Sequence, residues 1–99
     1  MLGHMREVVI DCSGIGSTDE FWQRYLDAAS PEGALIFGRN LDAFRDAIEG
    51  GPGWPGKVTL VFMHSDQLSG LRTSDSNKSF LDALGAIAGE ASAVSMKFV

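Results

Sequence analysis

The chain has 99 residues, 44% hydrophobic and 21% charged, which is typical of one globular domain spanning residues 1–99. Its net charge of −5 argues against nucleic acid or an anionic membrane as the main partner and favours a basic protein. A lone cysteine, Cys12, excludes an intrachain disulfide and a cysteine-based metal cluster. The sequence has no phosphate-binding loop and no metal-ligand spacing, so we expect no metal and no cofactor. No apolar run has the length of a membrane span.

Residues 1–5 fit no periodic pattern, and we interpret them as disordered or as a remnant of cloning, with a native start at Met5. They lack the basic segment, apolar core and cleavage site of a secretory signal peptide. Together with the lone cysteine, this predicts a protein of the reducing cytoplasm.

The first predicted strand covers residues 7–12, which are nearly all apolar or β-branched, as in a strand buried on both faces. Ser17 and Glu20 then form a capping-box pattern, in which each side chain satisfies a free N–H group of the other residue. The helix that they open is predicted to end before Pro31. Its apolar face carries Phe21, Trp22, Tyr25, Leu26 and Ala29.

The loop over residues 30–39 is bounded by proline and glycine and carries apolar side chains into the next helix. An apolar loop beside a charged helix is the usual composition of a protein contact site. Leu35 is predicted to fold inward over the start of that helix, while Phe37 fits either a core or a contact position.

A short acidic helix is predicted over residues 41–49, with Asn40 as its N-cap and Gly50 as its stop. At 100° per residue the apolar and charged positions separate onto two sides, Leu41, Phe44, Ala47 and Ile48 against Asp42, Arg45, Asp46 and Glu49. The carboxylates repel one another, and a cationic partner would relieve that repulsion. The charge pattern alone also fits an ordinary solvated face.

The rest of the chain alternates loops with regular elements. In order, we predict a loop at 50–56, a strand at 57–63, a helical turn at 64–70, a polar loop at 72–77, a helix at 78–91 and a strand at 93–99. Strands separated by helices require a parallel sheet with right-handed crossovers, so the fold class is α/β.

The run GRNLDAFRDAI at residues 38–48 closely resembles the signature of barstar-type ribonuclease inhibitors. This resemblance implies a small three-stranded parallel sheet in the order 1-2-3, packed with helices. It also implies an intracellular, antitoxin-like inhibitor that blocks the active site of a small, basic, secreted microbial ribonuclease of the guanine-specific type, in a 1:1 complex. In that family the contact surface consists of the acidic helix, the loop before it and acids late in the last helix, one of which Glu90 matches.

Carried over residue by residue, the resemblance implies a partner-binding set of Ile36, Phe37, Arg39, Asn40, Leu41, Asp42, Ala43, Arg45, Asp46, Glu49, Gly50 and Glu90. Asp46 aligns with the acid that takes the place of a substrate phosphate in the ribonuclease. A carboxylate suits this role because it accepts charge-assisted hydrogen bonds from the cations that hold phosphate.

Several positions depart from the family pattern. Ile36 and Phe37 replace two aromatic residues that carry phenolic hydroxyls, and Arg45 replaces an aromatic within the helix. Gly51 replaces a further aromatic residue after the helix, and Ala86 replaces an acid of the last helix. These changes imply a ribonuclease whose active site has a differently shaped rim. Trp54 is a candidate substitute for one of the missing aromatic residues.

Two other function classes stay open. A barstar-like fold can serve as an interaction module for a target that is not a ribonuclease. An enzyme is the second alternative, because Cys12 and His64 each follow a parallel strand, where α/β folds place catalytic groups. No motif surrounds Cys12, and a lone cysteine at a strand end is more often a small core residue.

Overall fold

A computed structural model describes residues 6–73 and 78–99. The interpretation of residues 1–5, and positions 74–77 of the predicted polar loop, lie outside the described residues. Three strands, β1 (Arg6–Asp11), β2 (Val58–Met63) and β3 (Ser95–Phe98), pair in parallel in the order β1-β2-β3. The predicted α/β fold and strand order are therefore confirmed.

Each crossover between strands contains helix. The first holds α1 (Thr18–Ala29) and α2 (Leu41–Ala47), separated by a 3₁₀ turn at Ala34–Ile36. The second holds a 3₁₀ segment at Ser65–Gly70, which confirms the predicted helical turn, and α3 (Phe80–Glu90).

The helices cover one face of the sheet and leave the other partly open. Ile10 of β1 is 1% exposed, whereas Val9 is 48% exposed, so the prediction that β1 is buried on both faces is wrong. Successive strand residues point to opposite sides, and only one side meets the helices. The central strand is better covered, with Thr59 buried, and Glu7 and Lys97 of its two neighbours pair at 3.6 Å.

The helix starts follow the predicted caps. Asn40 Oδ1 accepts from the Ala43 N–H at 2.7 Å, and Ser17 Oγ accepts from the Glu20 N–H at 3.2 Å. The capping box is not reciprocal as predicted, since the Glu20 carboxylate accepts from the Gly16 N–H at 3.0 Å instead of that of Ser17. Both helices therefore begin where side-chain oxygens satisfy their first free donors.

The acidic helix is shorter than predicted. α2 ends at Ala47, and the Asp46 carbonyl oxygen accepts from the N–H groups of Glu49 at 3.1 Å and Gly51 at 2.9 Å. In a longer helix the Asp46 carbonyl would instead accept from the N–H group four residues further on, that of Gly50. Glu49 thus lies outside the helix, and Gly50, with φ of 111°, has the positive φ expected of the predicted glycine stop but lies in the turn after the helix.

An aromatic cluster centred on Trp22 of α1 packs beneath α2, the loop before it and α3. The indole ring centroid lies 5.4 Å from that of Phe44 on α2, 5.6 Å from that of Phe37 and 5.6 Å from that of Phe80 on α3. Trp22 is 1% exposed and Phe44 is fully buried. One side chain therefore joins the loop before α2 to α2 itself and to α3.

Candidate functional site

The exposed side of α2 and the turn after it form an acidic stripe, defined as Asp42, Asp46 and Glu49. All three residues are exposed. Within the described residues, no ion pair involves any of the three carboxylates. Asp42 and Asp46 are one helical turn apart, and Asp46 lies in the last turn, where the helix dipole favours cations. The carboxylates of the stripe are therefore not neutralised by an ion pair within the described residues.

The residue before the cap, Arg39, has a left-handed backbone with φ of 54°. This conformation costs a non-glycine residue about 1–2 kcal/mol. Its guanidinium donates to Gln23 Oε1 at 2.6 Å and to Asp19 Oδ1 at 3.2 Å, both on α1. These bonds tie the start of α2 to α1 and hold Arg39 at the edge of the exposed face.

In the loop before α2 the predicted orientation of Leu35 is wrong, and Phe37, for which the sequence left two positions open, takes the core position. Leu35, predicted to point inward, is fully exposed, and Ile36 is 73% exposed. Phe37 is instead buried, at 6% exposed, against Trp22 and Tyr25. A member of the implied partner-binding set, Phe37 therefore supports the loop from below, while its neighbours present an exposed apolar pair.

Gly53 explains why Phe37 is buried. Its φ is +92°, and a Cβ built on it would lie 2.7 Å from the Phe37 ring, so a side chain at this position would collide with that ring. The Gly53 carbonyl accepts from the buried Tyr25 hydroxyl at 2.7 Å, and burial raises the pKa of Tyr25 well above its usual range. The loop after α2 thus closes over the aromatic cluster through backbone contact.

The end of α3 meets the middle of α2. Arg45 Nε lies 3.6 Å from Glu90 Oε1, with both side chains largely exposed. The structure therefore brings Glu90 to the same surface as the acidic stripe, although the two residues lie far apart in sequence. Ala86, at the position where the resemblance implies an acid, lines the groove between these helices.

Trp54 lines a different cavity from the groove between α2 and α3. It is half-buried against the core and lines a second cavity with Arg6, Ala28 and Pro31, at the start of β1 and the end of α1. That cavity shares no lining residue with the groove between α2 and α3. The backbone N–H of Trp54 donates to the Gly51 carbonyl at 3.0 Å, in the turn that follows the acidic stripe.

Cys12 and His64 have different environments. Cys12 is fully buried, its Sγ lies 3.7 Å from the Ile10 carbonyl oxygen, and burial raises the pKa of the thiol to about 11. His64 is exposed in a left-handed turn with φ of 56°. A buried thiol with a raised pKa is a poor nucleophile, so this geometry does not support a catalytic pair.

Two features of the described residues bear on other function classes. No group of three or more histidine, cysteine, aspartate or glutamate residues in ranges 6–73 and 78–99 could hold a metal ion. Over the same ranges, no helix has the length and apolarity needed to cross a membrane.

The parallel sheet, the buried aromatic support and the exposed acidic side of α2 define a small α/β protein with an acidic stripe on its surface. A family model described as Barstar (barnase inhibitor) matches residues 5–99. The chain therefore belongs to the barstar family, which confirms the resemblance seen at residues 38–48. This is a family of ribonuclease inhibitors and not of enzymes. Comparison with curated proteins gave no match.

The structure brings most of the implied partner-binding set to one surface but also adds residues to that surface. Leu35 is exposed where the sequence pattern predicts burial. Arg72 and Lys78, from the segment before α3, line the groove beside α2. No local pattern could have identified these two, because only the packing of α3 beside α2 brings them near it.

Proposed function

We propose that this protein inhibits a small, basic, secreted microbial ribonuclease of the guanine-specific type by covering its active site with the acidic stripe and the apolar pair Leu35 and Ile36. The observation that carries the proposal is the family match over residues 5–99, together with the exposure of Asp46. The complex is 1:1, and the inhibitor acts in the cytoplasm, where it protects the cell from its own ribonuclease.

The chemistry follows from what a ribonuclease active site must contain. Cations that hold the RNA phosphate can donate charge-assisted hydrogen bonds to a carboxylate in the same position. Asp46 is suited to this role because it lies in the middle of the exposed stripe and forms no ion pair with a described residue. The exposed apolar pair in the loop before α2 supplies the kind of anchor that interfaces commonly combine with a charged centre.

A titration tests the proposal. Increasing amounts of the protein are added to small basic microbial ribonucleases, guanine-specific ones included, and cleavage of RNA is followed. We expect cleavage by at least one of them to stop at one equivalent of the protein. If none is inhibited at excess protein, the proposal is wrong, and an interaction module with another target becomes the better explanation.

Association with the ribonuclease should slow steeply as salt is added, because the acidic stripe and the net charge of −5 attract a cationic cleft over long range. Stopped-flow measurement of the association rate constant at low and high ionic strength gives the slope of this rate constant against salt concentration. The double variant Asp42→Asn with Asp46→Asn should reduce this slope more than the matched pair Asp27→Asn with Asp66→Asn. Equal slopes in both variants would contradict the role of the stripe.

Cys12 should act only in stability. We expect it to resist iodoacetamide at neutral pH in the folded protein and to react once the protein is unfolded in urea. Cys12→Ala should lower the free energy of unfolding by on the order of 1 kcal/mol and leave inhibition intact. A folded Cys12→Ala protein that no longer inhibits would support the enzyme alternative.

The pH dependence of stability gives a second measurement of the same thiol. Its folded pKa of about 11 lies above the ordinary value of 9.0, so the folded state holds the proton more tightly than the unfolded state. The stability from this group is complete below pH 9.0 and is lost as pH rises through about 11. Cys12→Ala should flatten that alkaline loss, which urea unfolding at several pH values would show.

A further inference from the structure

Beside the acidic stripe lies a groove whose charged lining is mostly basic. This basic groove has a volume of about 590 Å³ and lies between α2 and α3, with Phe80 and Ile87 in its apolar floor. Among the described residues that line it there is one carboxylate, Asp42. Four of the chain's 8 lysine and arginine side chains also line it, namely Arg39, Arg45, Arg72 and Lys78. Such a concentration of cations is unexpected in an acidic protein.

Weak ion pairs hold two of these cations. Arg45 and Glu90 lie 3.6 Å apart with side chains 53% and 63% exposed, and Arg39 and Asp19 lie 3.2 Å apart at 38% and 76%. Exposed pairs of this kind contribute about 0–1 kcal/mol. The Arg45 guanidinium can therefore exchange its internal carboxylate for one from a partner at little cost, whereas Arg39 is also held by its bond to Gln23 Oε1 at 2.6 Å.

The position of Arg45 on α2 makes that exchange relevant to binding. Arg45 directly precedes Asp46, and at 100° per residue it lies on the side of the acidic stripe that faces α3. A partner that covers Asp46 and extends towards α3 must also cover Arg45. A uniformly cationic partner surface would be repelled there, since opposed like charges are costly in an interface.

We propose that the basic groove receives an acidic side chain of the same ribonuclease, placed on the rim of its cationic cleft. This inference rests on the proposed function. The interface then contains two kinds of charge pair. Carboxylates of the inhibitor meet cations of the cleft, and guanidinium groups of the inhibitor meet a carboxylate of the rim. The planar guanidinium of Arg45 can donate two parallel hydrogen bonds to such a carboxylate.

Charge reversal at two sites tests the inference with a ribonuclease that the wild-type protein inhibits. Arg45→Glu is compared with Lys57→Glu, which changes the net charge equally but lies directly before β2, outside the groove lining. We expect Arg45→Glu to bind at least about tenfold more weakly than Lys57→Glu. Melting temperatures of both variants, and the milder Arg45→Gln, separate binding from folding.

The partner residue is found by changing each acidic rim residue of the ribonuclease to its amide. One such change should weaken the wild-type complex and have little further effect on the Arg45→Gln complex. Equal binding by Arg45→Glu and Lys57→Glu overturns the inference alone, whereas failure of the wild-type protein to inhibit overturns the proposed function and the inference with it. Binding of inorganic phosphate by the free protein, abolished in Arg45→Gln, would make the groove a phosphate site and also overturn the inference.

Discussion

Asp46→Ala should weaken inhibition by several kcal/mol and leave the melting temperature unchanged or slightly raised. In the free protein, Asp46 is exposed, lies one turn from Asp42 and sits at the negative end of α2. Its loss therefore removes repulsion by the Asp42 carboxylate and by the helix dipole. In the complex, the loss leaves cations of the ribonuclease buried without a carboxylate. The expected size follows from what such truncations cost in protein interfaces, complexes of the barstar family included.

Inhibition constants and thermal melts on the same samples test this prediction. Asp42→Ala and Glu49→Ala should cost less, because the family resemblance aligns only Asp46 with the acid in the phosphate position. Asp66→Ala, an exposed acid of the second crossover, is the matched control and should change neither quantity. An Asp46→Ala protein that melts early would make the residue structural, and one that inhibits normally would move the site elsewhere.

Trp22→Ala should destabilise the folded domain by about 3–5 kcal/mol. The indole is 1% exposed and contacts Phe37, Phe44 and Phe80, so its removal opens a cavity beneath three elements at once. For a domain of this size, we expect the melting temperature to fall by more than about 10 °C. Because Phe44 anchors α2 on this ring, inhibition should fall with the folded fraction.

Urea unfolding and thermal melts measure the loss, with Trp54→Ala as the control for the same chemical change. Trp54 is half-buried at the edge of the core, so its truncation should cost less than half as much. Trp22→Phe keeps a ring in the cluster and should fall between the two. Similar losses for Trp22→Ala and Trp54→Ala would contradict the central place of Trp22 in the cluster.

The order of strands and helices, the Asn40 cap and the exposed acidic side of α2 could all be predicted from the sequence. Each depends on local terms, namely residue periodicity, a side chain bonding to a nearby N–H group, and the separation of charged from apolar positions. The family motif at residues 38–48 is equally local. These features therefore required no knowledge of what packs against them.

Features that join distant parts of the chain required the tertiary structure. Phe37 points inward and Leu35 outward because the aromatic cluster accepts the ring and Gly53 leaves room for it, and local spacing cannot show either fact. Likewise, Arg45 meets Glu90 only because α3 packs beside α2. Sequence alone identified the acidic stripe, whereas the basic groove beside it exists only once these two helices are placed together.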